Sequence, residues 1–145
     1  MYDLRSFRSV DAVGARVGLA RKAIAEEFAR EAAPLGLSVQ QALVILLVGE
    51  ERSDTAAGLC RVLAHDAGAM TRIVDKLESM RLVRRVRGSQ DRRSARLELT
   101  KDGRSMYARV MRVQVDMLNR MLRGFSRSEV RTLERLLLRI LENAA

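Results

Sequence analysis

The chain is poor in the residues on which covalent and metal chemistry depend. Its 145 residues include one Cys, one His and no Trp, and aromatic residues make up only 3%. One Cys cannot form an internal disulfide, and His65 with Cys60 cannot supply the ligands of an ordinary zinc site. The same scarcity argues against Ser-His-Asp and Cys-His catalysis, and no glycine-rich phosphate loop follows a strand pattern. The sequence therefore predicts no enzyme, no metal site and no cofactor.

Proline and long apolar runs are scarce as well. One Pro and nine Gly favour long helices over frequent turns. No run approaches the roughly 18 apolar residues of a membrane span, and the opening MYDLRSFRSV lacks the apolar core of a signal peptide. We therefore expect one cytoplasmic domain over residues 1–145, large enough for a hydrophobic core and with no membrane partner.

Basic charge, by contrast, is abundant and unevenly distributed. The net charge is +9, and residues 72–112 hold thirteen Lys or Arg against five Asp or Glu. This segment of 41 residues therefore carries +8 of the total. Such a concentration predicts a binding surface for a polyanion, and a merely solvated charged face is the simpler alternative.

The segment from Ala67 to Thr100 changes its periodicity halfway along. Its first half has helical spacing, with one apolar and one polar face. The apolar face comprises Met70, Ile73, Val74, Leu77 and Met80, and the polar face Gly68, Arg72, Asp75, Lys76 and Ser79. Its second half has short apolar and arginine-rich runs on either side of the turn residues Gly88-Ser89-Gln90-Asp91. A helix followed by a basic β-hairpin is the layout of a winged helix, which places the helix in the major groove of DNA.

The chain is expected to begin with two helices. Apolar residues at steps of three and four predict a long first helix from about Val10 to about Ala33, ended by Pro34 and Gly36. A capping box at Ser38-Val39-Gln40-Gln41 then begins a second helix. This second helix is apolar nearly all round, so we expect it to be buried in the middle of the domain.

A short third helix completes the DNA-binding pattern. Thr55 can cap a helix over Ala56 to Leu63, in which Leu59 and either Val62 or Leu63 would face the core. Ala64-His65-Asp66 then forms a tight turn, and Asp66 caps the next helix. A short helix, a tight turn and a longer amphipathic helix together predict a helix-turn-helix.

The last third of the chain returns to helices after one strand. Ala95, Leu97 and Leu99 alternate with charged residues, so the returning strand should bury one face. Thr100 caps a fifth helix that runs to about Leu122. A second capping box, Ser126-Arg127-Ser128-Glu129, begins a sixth helix with an apolar stripe that needs another helix to cover it.

The terminal helices carry more apolar surface than a winged helix over about residues 36–100 requires. An enlarged monomer core could bury it. We favour a homodimer in which residues of about 4–34 and 101–145 interleave, because a symmetric pair also presents two recognition helices to a two-fold-related DNA site. The predicted dimer contacts are Val13, Val17, Met117, Met121, Val130, Leu133, Leu137 and Ile140.

Four motifs together resemble the MarR family of bacterial transcriptional regulators. They are Thr71-Arg72-x-x-Asp75-x-Leu77-Glu78, Leu82-Val83, Asp91-Arg92-Arg93 and Leu99-Thr100-Lys101-Asp102-Gly103. The resemblance covers about residues 35–106 by motif and the whole chain by helix order. It implies a mostly α protein with a small β-hairpin, in which six helices form a winged helix-turn-helix and the terminal helices dimerise. It also implies binding to pseudo-palindromic double-stranded operator DNA, typically as a repressor released by small ligands, metals or thiol oxidation.

Two positions depart from the family pattern. Arg81 stands where the family usually has glycine, so either a left-handed residue costs about 1 kcal/mol there or the turn differs. The recognition helix begins with Ala67, Gly68 and Ala69 instead of polar residues. These residues allow close approach and can touch a thymine methyl, but they donate no hydrogen bond, so base readout should depend on fewer side chains.

The predicted DNA interface combines the recognition helix with the hairpin. Its expected contacts are Asp66, Ala67, Gly68, Ala69, Thr71, Arg72, Lys76, Arg85, Arg87, Arg92 and Arg93. Arg72 could bind a guanine edge or a phosphate, and both alternatives stay open. Asp91 should orient Arg93 towards the minor groove by a charge-assisted pair, for which a weak surface ion pair is the alternative.

The function predicted from these features is a sequence-specific, dimeric transcriptional regulator, with repression inferred from the resemblance. A sequence-indifferent architectural DNA-binding protein and a protein-interaction module are the alternatives. Cys60 is expected to be a structural thiol among apolar neighbours and not a redox sensor. A small-molecule effector is expected, but the residues do not identify it.

Overall fold

The computed structural model describes residues 2–6, 8–87 and 95–144. Within them, six α-helices surround a two-stranded antiparallel sheet. The elements are α1 Val13–Ala32, α2 Val39–Gly49, α3 Ala56–Leu63, α4 Ala67–Ser79, β1 Val83–Arg87, β2 Ala95–Leu99, α5 Lys101–Met121 and α6 Arg127–Glu142. The predicted mostly α fold with six helices and a hairpin is confirmed. The turn predicted at Gly88-Ser89-Gln90-Asp91 lies outside the described residues.

Local side-chain caps explain where most helices begin. Ser38 Oγ accepts from the backbone N–H of Gln41 at 3.2 Å, and Gln41 Oε1 accepts from the backbone N–H of Ser38 at 2.9 Å. The same reciprocal box forms between Ser126 and Glu129 at the start of α6. Thr55 and Thr100 cap α3 and α5 through their hydroxyls. These caps satisfy N–H groups that lack partners within the helix, as the sequence predicted.

The start of α1 differs from the prediction by three residues. Ser9–Asp11 forms a 3-10 turn, and Ala12 is extended, so α1 begins at Val13 instead of Val10. The backbone N–H of Val13 donates to the hydroxyl of Tyr2 at 2.7 Å. A cap from a residue eleven positions away cannot be recognised from local sequence, which explains the difference.

The core is built around α2. Ala42, Val44 and Ile45 are fully buried, and α2 contacts α1, α4, α5 and β2. The prediction of a central buried helix is therefore confirmed. On α3, Leu59 is fully buried and Leu63 packs partly against the core, whereas Val62 is 56% exposed, so Leu63 is the second inward residue.

The hairpin forms the stem of the wing. Val83 pairs with Leu99 and Arg85 with Leu97 in an antiparallel register. Leu97 and Leu99 are buried, while Arg96 and Glu98 are exposed, which confirms the predicted alternation. The wing stem therefore packs one face on the core and leaves charged residues on the other.

The joint between α4 and β1 adopts the left-handed conformation without glycine. Arg81 has a φ of 58°, so of the two predicted alternatives a strained residue occurs, at a cost of about 1 kcal/mol. The Thr100 hydroxyl donates to the carbonyl of Arg81 at 2.6 Å, and the Thr100 N–H donates to the carbonyl of Leu82 at 3.1 Å. A Cβ at Gly103 would lie 1.8 Å from the carbonyl oxygen of Leu82, so only glycine permits this close approach. The start of α5 is thus bonded directly to the joint.

The terminal helices divide into a packed part and an unpacked part. In α6 no residue is buried, so the alternative of an enlarged monomer core is not realised for this helix. Met117 of α5 is 1% exposed and belongs to the core of the subunit. The prediction that Met117 offers its surface to a partner is therefore corrected, because α5 turns this residue towards its own chain.

Membrane-spanning potential was assessed over the described ranges. No single helix there is both long and apolar enough to cross a bilayer. One bent pair, α1 together with α2, reaches the required composition only across an 85° bend.

Candidate DNA-binding interface

The turn between α3 and α4 sets the position of the recognition helix. Ala64 ends α3 in the left-handed region with a φ of 52°, and the backbone N–H of His65 donates to the carbonyl of Cys60 at 3.1 Å. Asp66 then caps α4, with its Oδ1 accepting from the N–H of Ala69 at 2.8 Å. The predicted helix-turn-helix therefore forms with the predicted cap.

Asp66 is exposed and ionised more readily than an ordinary aspartate. The backbone N–H of Ala69 lowers the pKa of Asp66, and the N–H of Gly68 and the charge of Arg72 lower it further. Each interaction favours the carboxylate form. At neutral pH this carboxylate supports the start of α4 and sits beside the positive end of the helix dipole.

The two faces of α4 are separated as the sequence predicted. Met70, Val74 and Leu77 are fully buried, while Arg72 and Lys76 are exposed. The side chains of Arg72 and Lys76 form no hydrogen bond or ion pair with the part of the chain that the structure describes. Their charges are therefore available to an external partner.

The other predicted contacts at the start of α4 are small or partly engaged. Ala67 and Gly68 are exposed and Ala69 is half-buried. Thr71 is exposed, and its hydroxyl donates to the carbonyl of Ala67 at 2.8 Å, so its oxygen can still accept a hydrogen bond. The first turn of α4 thus presents small side chains with few hydrogen-bond donors.

Arg85 forms ion pairs with the recognition helix. Its Nη2 lies 2.7 Å from Oδ1 of Asp75, and its Nη1 donates to Oε2 of Glu78. β1 turns this side chain towards α4, where two carboxylates hold its guanidinium, and its contact with DNA stays a prediction. Its neighbour Arg84 points to the other face and pairs with Glu98 at 2.6 Å.

The predicted contacts at the tip of the wing are not among the described residues. The side chain of Arg87, together with Asp91, Arg92 and Arg93, lies outside the described residues. Their assignment as wing contacts stays a prediction. The described stem nevertheless brings β1 alongside the polar face of α4.

Sequence reasoning missed the ionic contacts at the wing stem. Besides the Arg85 contacts, Arg96 of β2 pairs with Asp54 at 3.3 Å, and the N–H of Leu97 donates to the carbonyl of Asp54 at 2.6 Å. The loop before α3 thereby holds β2. The presence of Asp75 and Glu78 on a helix within the basic segment could have indicated the Arg85 pairs, because acidic side chains near DNA phosphates are repelled unless a cation pairs with them.

The predicted dimer residues converge only in part. A groove of about 700 Å³ lies between α1, α2, α5 and α6. Val13, Val17, Leu133, Leu137 and Ile140 line it. Met117 also lines it from the core side, whereas Met121 and Val130 lie outside its lining. The exposed members are between 37% and 49% exposed in the single chain.

Cys60 is half-buried on α3 and packs partly against the core. Its expected apolar surroundings are therefore present on one side only. The hypothesis of a structural thiol stays a prediction.

Comparison with known proteins agrees with this geometry. Residues 35–94 match the model of the MarR family. The multiple antibiotic resistance protein MarR of Salmonella typhimurium is 30% identical over 109 residues, which cover 74% of this chain and 76% of that protein.

Solved structures match over nearly the whole chain. The transcriptional regulator BldR from Sulfolobus solfataricus has a TM-score of 0.82 and 27% identity, covering 94% of this chain and 99% of that one. A mutant MarR from E. coli complexed with operator DNA has a TM-score of 0.79 and 26% identity, covering 97% and 99%. With its helix-turn-helix, its wing stem and these relatives, the chain belongs to the MarR family of winged-helix, DNA-binding transcriptional regulators.

Proposed function

We propose that this chain acts as a homodimeric repressor that binds pseudo-palindromic operator DNA through two copies of α4 and two wings. The observation that carries the proposal is the exposed polar face of α4, where the side chains of Arg72 and Lys76 have no partner among the described residues. A helix of this kind, held by a buried apolar face, fits the major groove. The structure of a MarR relative in complex with operator DNA supports DNA as the partner.

Dimerisation is inferred from the unpacked apolar face of α6. Leu133, Leu137 and Ile140 are 41%, 37% and 44% exposed, and they face a groove that α1 and α5 also line. Fully burying one such side chain contributes about 1.5–3 kcal/mol. A second copy offers the same surface, so an isologous pair covers both. That dimer would place its two recognition helices on two-fold-related half-sites of the DNA.

Repression and ligand release are the regulatory part of the proposal. Occupancy of promoter DNA by a dimer blocks access of the polymerase and needs no further contact surface. The groove beside α1, α2 and α5 is lined by apolar side chains with Arg16, Arg21 and Gln114 as its polar members. An amphipathic small molecule bound in this groove would favour one arrangement of the two subunits. It would thereby change the distance between the two recognition helices and weaken binding to the operator.

A titration tests the central claim. The probe is the duplex that the protein selects from a random pool, in competition with unselected duplex. A specific regulator should favour its own site by about 10³-fold or more. Light scattering on the same sample should report the mass of two chains. A monomer with no preference would overturn both parts of the proposal.

One observation favours the architectural alternative. The first turn of α4 carries Ala67, Gly68 and Ala69, which donate no side-chain hydrogen bonds to bases. A protein that binds any duplex through phosphates would show similar affinity for both probes in the same titration. A large preference for the selected site excludes this alternative.

A further inference from the structure

The recognition helix carries two acidic side chains inside the most basic part of the chain. Asp75 and Glu78 lie one turn apart on α4, next to the exposed Arg72 and Lys76. Carboxylates near DNA phosphates oppose binding, so a helix optimised only for affinity would avoid them. Their position therefore requires a reason other than direct contact with DNA.

Arg85 of β1 supplies that reason. It reaches both carboxylates, with Nη2 at 2.7 Å from Asp75 and Nη1 donating to Glu78. Its backbone N–H also donates to Oε1 of Glu78 at 3.1 Å. The side chains are partly shielded from water, at 37% exposure for Arg85 and 29% for Glu78. Three donors of one residue therefore bind two acceptor groups on α4, a geometry that restricts orientation far more than one surface pair.

These contacts add polar bonds between two elements that otherwise meet through apolar packing in the core and at the joint around Arg81. Within the described ranges, every side-chain hydrogen bond between α4 and the hairpin involves Arg85. Arg84, on the opposite face of the same strand, bonds within the hairpin to Glu98 and does not reach α4. Arg85 therefore supplies the side-chain hydrogen bonds that hold the wing stem to the recognition helix, in addition to the apolar packing of Val83 and Leu97 on the core.

We propose that Arg85, bound to Asp75 and Glu78, is a positioning residue that fixes the angle between the recognition helix and the wing and so contributes to operator preference without contacting DNA. The proposal rests on the DNA-binding function proposed above. It assigns the two carboxylates a structural role and explains why the DNA-facing helix contains them. The wing and α4 then meet their two grooves in one fixed relative orientation.

The decisive variant is the double substitution Asp75→Asn and Glu78→Gln. Removing negative charge from a DNA-facing helix should, by electrostatics alone, tighten binding to every duplex. If Arg85 positions the wing, the variant should bind unselected duplex more tightly but the selected site about tenfold more weakly. Freed guanidinium groups should also steepen the salt dependence on unselected duplex by about 2 per dimer. Tighter binding to both probes would overturn the proposal.

Substitution at Arg85 has a matched control in the same strand. Arg85→Ala should weaken unselected duplex by the loss of one positive charge per subunit, and should weaken the selected site about tenfold more than that. Arg84→Ala removes the same charge from the opposite face and should leave the preference unchanged. Arg85→Lys keeps the charge but cannot bind two carboxylates at once, so it should lose much of the preference. If Arg85→Ala weakens both probes equally and lowers the salt slope by about 2, Arg85 is a phosphate contact and the proposal is wrong.

A double-mutant cycle separates positioning from loss of folding. In the background that lacks both carboxylates, Arg85→Ala should have little further effect on preference, because its partners are already gone. Circular dichroism and thermal unfolding verify that each variant is folded, and Arg85→Lys serves if Arg85→Ala unfolds. Equal effects of Arg85→Ala in both backgrounds would contradict the proposal. A wild-type protein without any preference would overturn the proposed function itself, whereas wild-type preference retained in all variants would overturn only the positioning role.

Discussion

Helices α4 and α6 are both amphipathic and both begin with a side-chain cap, yet they use their faces in opposite ways. In α4, the apolar residues Met70, Val74 and Leu77 are fully buried by the same chain, and the polar face is exposed at Arg72 and Lys76. In α6, no residue is buried and the apolar face is free. The chain therefore buries the apolar face of α4 internally and leaves that of its last helix exposed. The same sequence pattern has different consequences because α4 packs against α2, α3 and β1, whereas α6 has no comparable packing against the described part of its own chain.

The largest expected effect comes from truncating the buried face of α4. Leu77→Ala removes a fully buried side chain and should lower the free energy of unfolding by about 2–5 kcal/mol. The loss arises within one subunit. Urea unfolding should therefore show the same destabilisation over a wide range of protein concentration. A destabilisation that depends on concentration would mean that α4 is also stabilised by the partner.

The corresponding change in α6 should act through association. Leu137→Asp places a carboxylate in the proposed apolar interface, at a cost of several kcal/mol to the dimer. Light scattering should then report a monomer or an aggregate. Arg139→Asp is the control, because it changes charge on α6 outside the groove lining. If the Leu137→Asp variant dimerised with unchanged affinity between its subunits, α6 would not form the dimer interface.

The exposed polar face of α4 makes a prediction about DNA. Arg72→Ala should weaken binding to the selected site by about 1–3 kcal/mol per half-site if Arg72 reads a base edge, and should affect unselected duplex much less. Arg93→Ala, predicted from sequence to act at the wing, should weaken both and reduce the salt slope by about 2 per dimer. Titrations of both variants at several salt concentrations compare them. If Arg72→Ala weakens binding to the selected site and to unselected duplex equally, Arg72 contacts a phosphate and not a base.

The caps of the two helices should produce the smallest effect. The backbone N–H of Ala69 lowers the pKa of Asp66, and the backbone N–H and hydroxyl of Ser126 lower the pKa of Glu129. Since both pKa values are lower in the folded state, this stabilisation is present at neutral pH and is lost as pH falls below the ordinary carboxyl range, through the folded values.

Thermal unfolding between about pH 6 and about pH 3 measures that loss. Asp66→Asn keeps a capping oxygen without a titrating group, so the variant should lose less stability than the wild type over this range. Glu129→Gln should do the same for α6. An acid-induced loss that is identical in all three proteins would show that the caps contribute nothing through their charge.

Much of the fold could be predicted because the relevant interactions are local. The caps at Ser38, Thr55, Asp66, Thr100 and Ser126 each involve residues three positions apart, and all five form. The bounds of α3 and the alternation in β2 follow from short-range patterns as well. The start of α1 was misplaced because its cap comes from Tyr2, which is distant in sequence.

The candidate site could be predicted only as far as its helix. The exposure of Arg72 and Lys76 followed from helical periodicity. The role of Arg85 did not, because the sequence of a strand shows that neighbours face opposite sides but not which side meets α4. Only the packing of β1 on the core decides that Arg85 faces Asp75 and Glu78 while Arg84 faces Glu98.

The sequence by itself determined the helices, their caps, the hairpin and the concentration of basic charge, since each depends on residues close together in the chain. The tertiary structure decided the burial of Met117 in its own subunit, the exposure of Leu137 and the left-handed conformation of Arg81. It also decided which arginine is held by carboxylates and which is free. These properties depend on how elements far apart in sequence pack together, and periodicity carries no information about that packing.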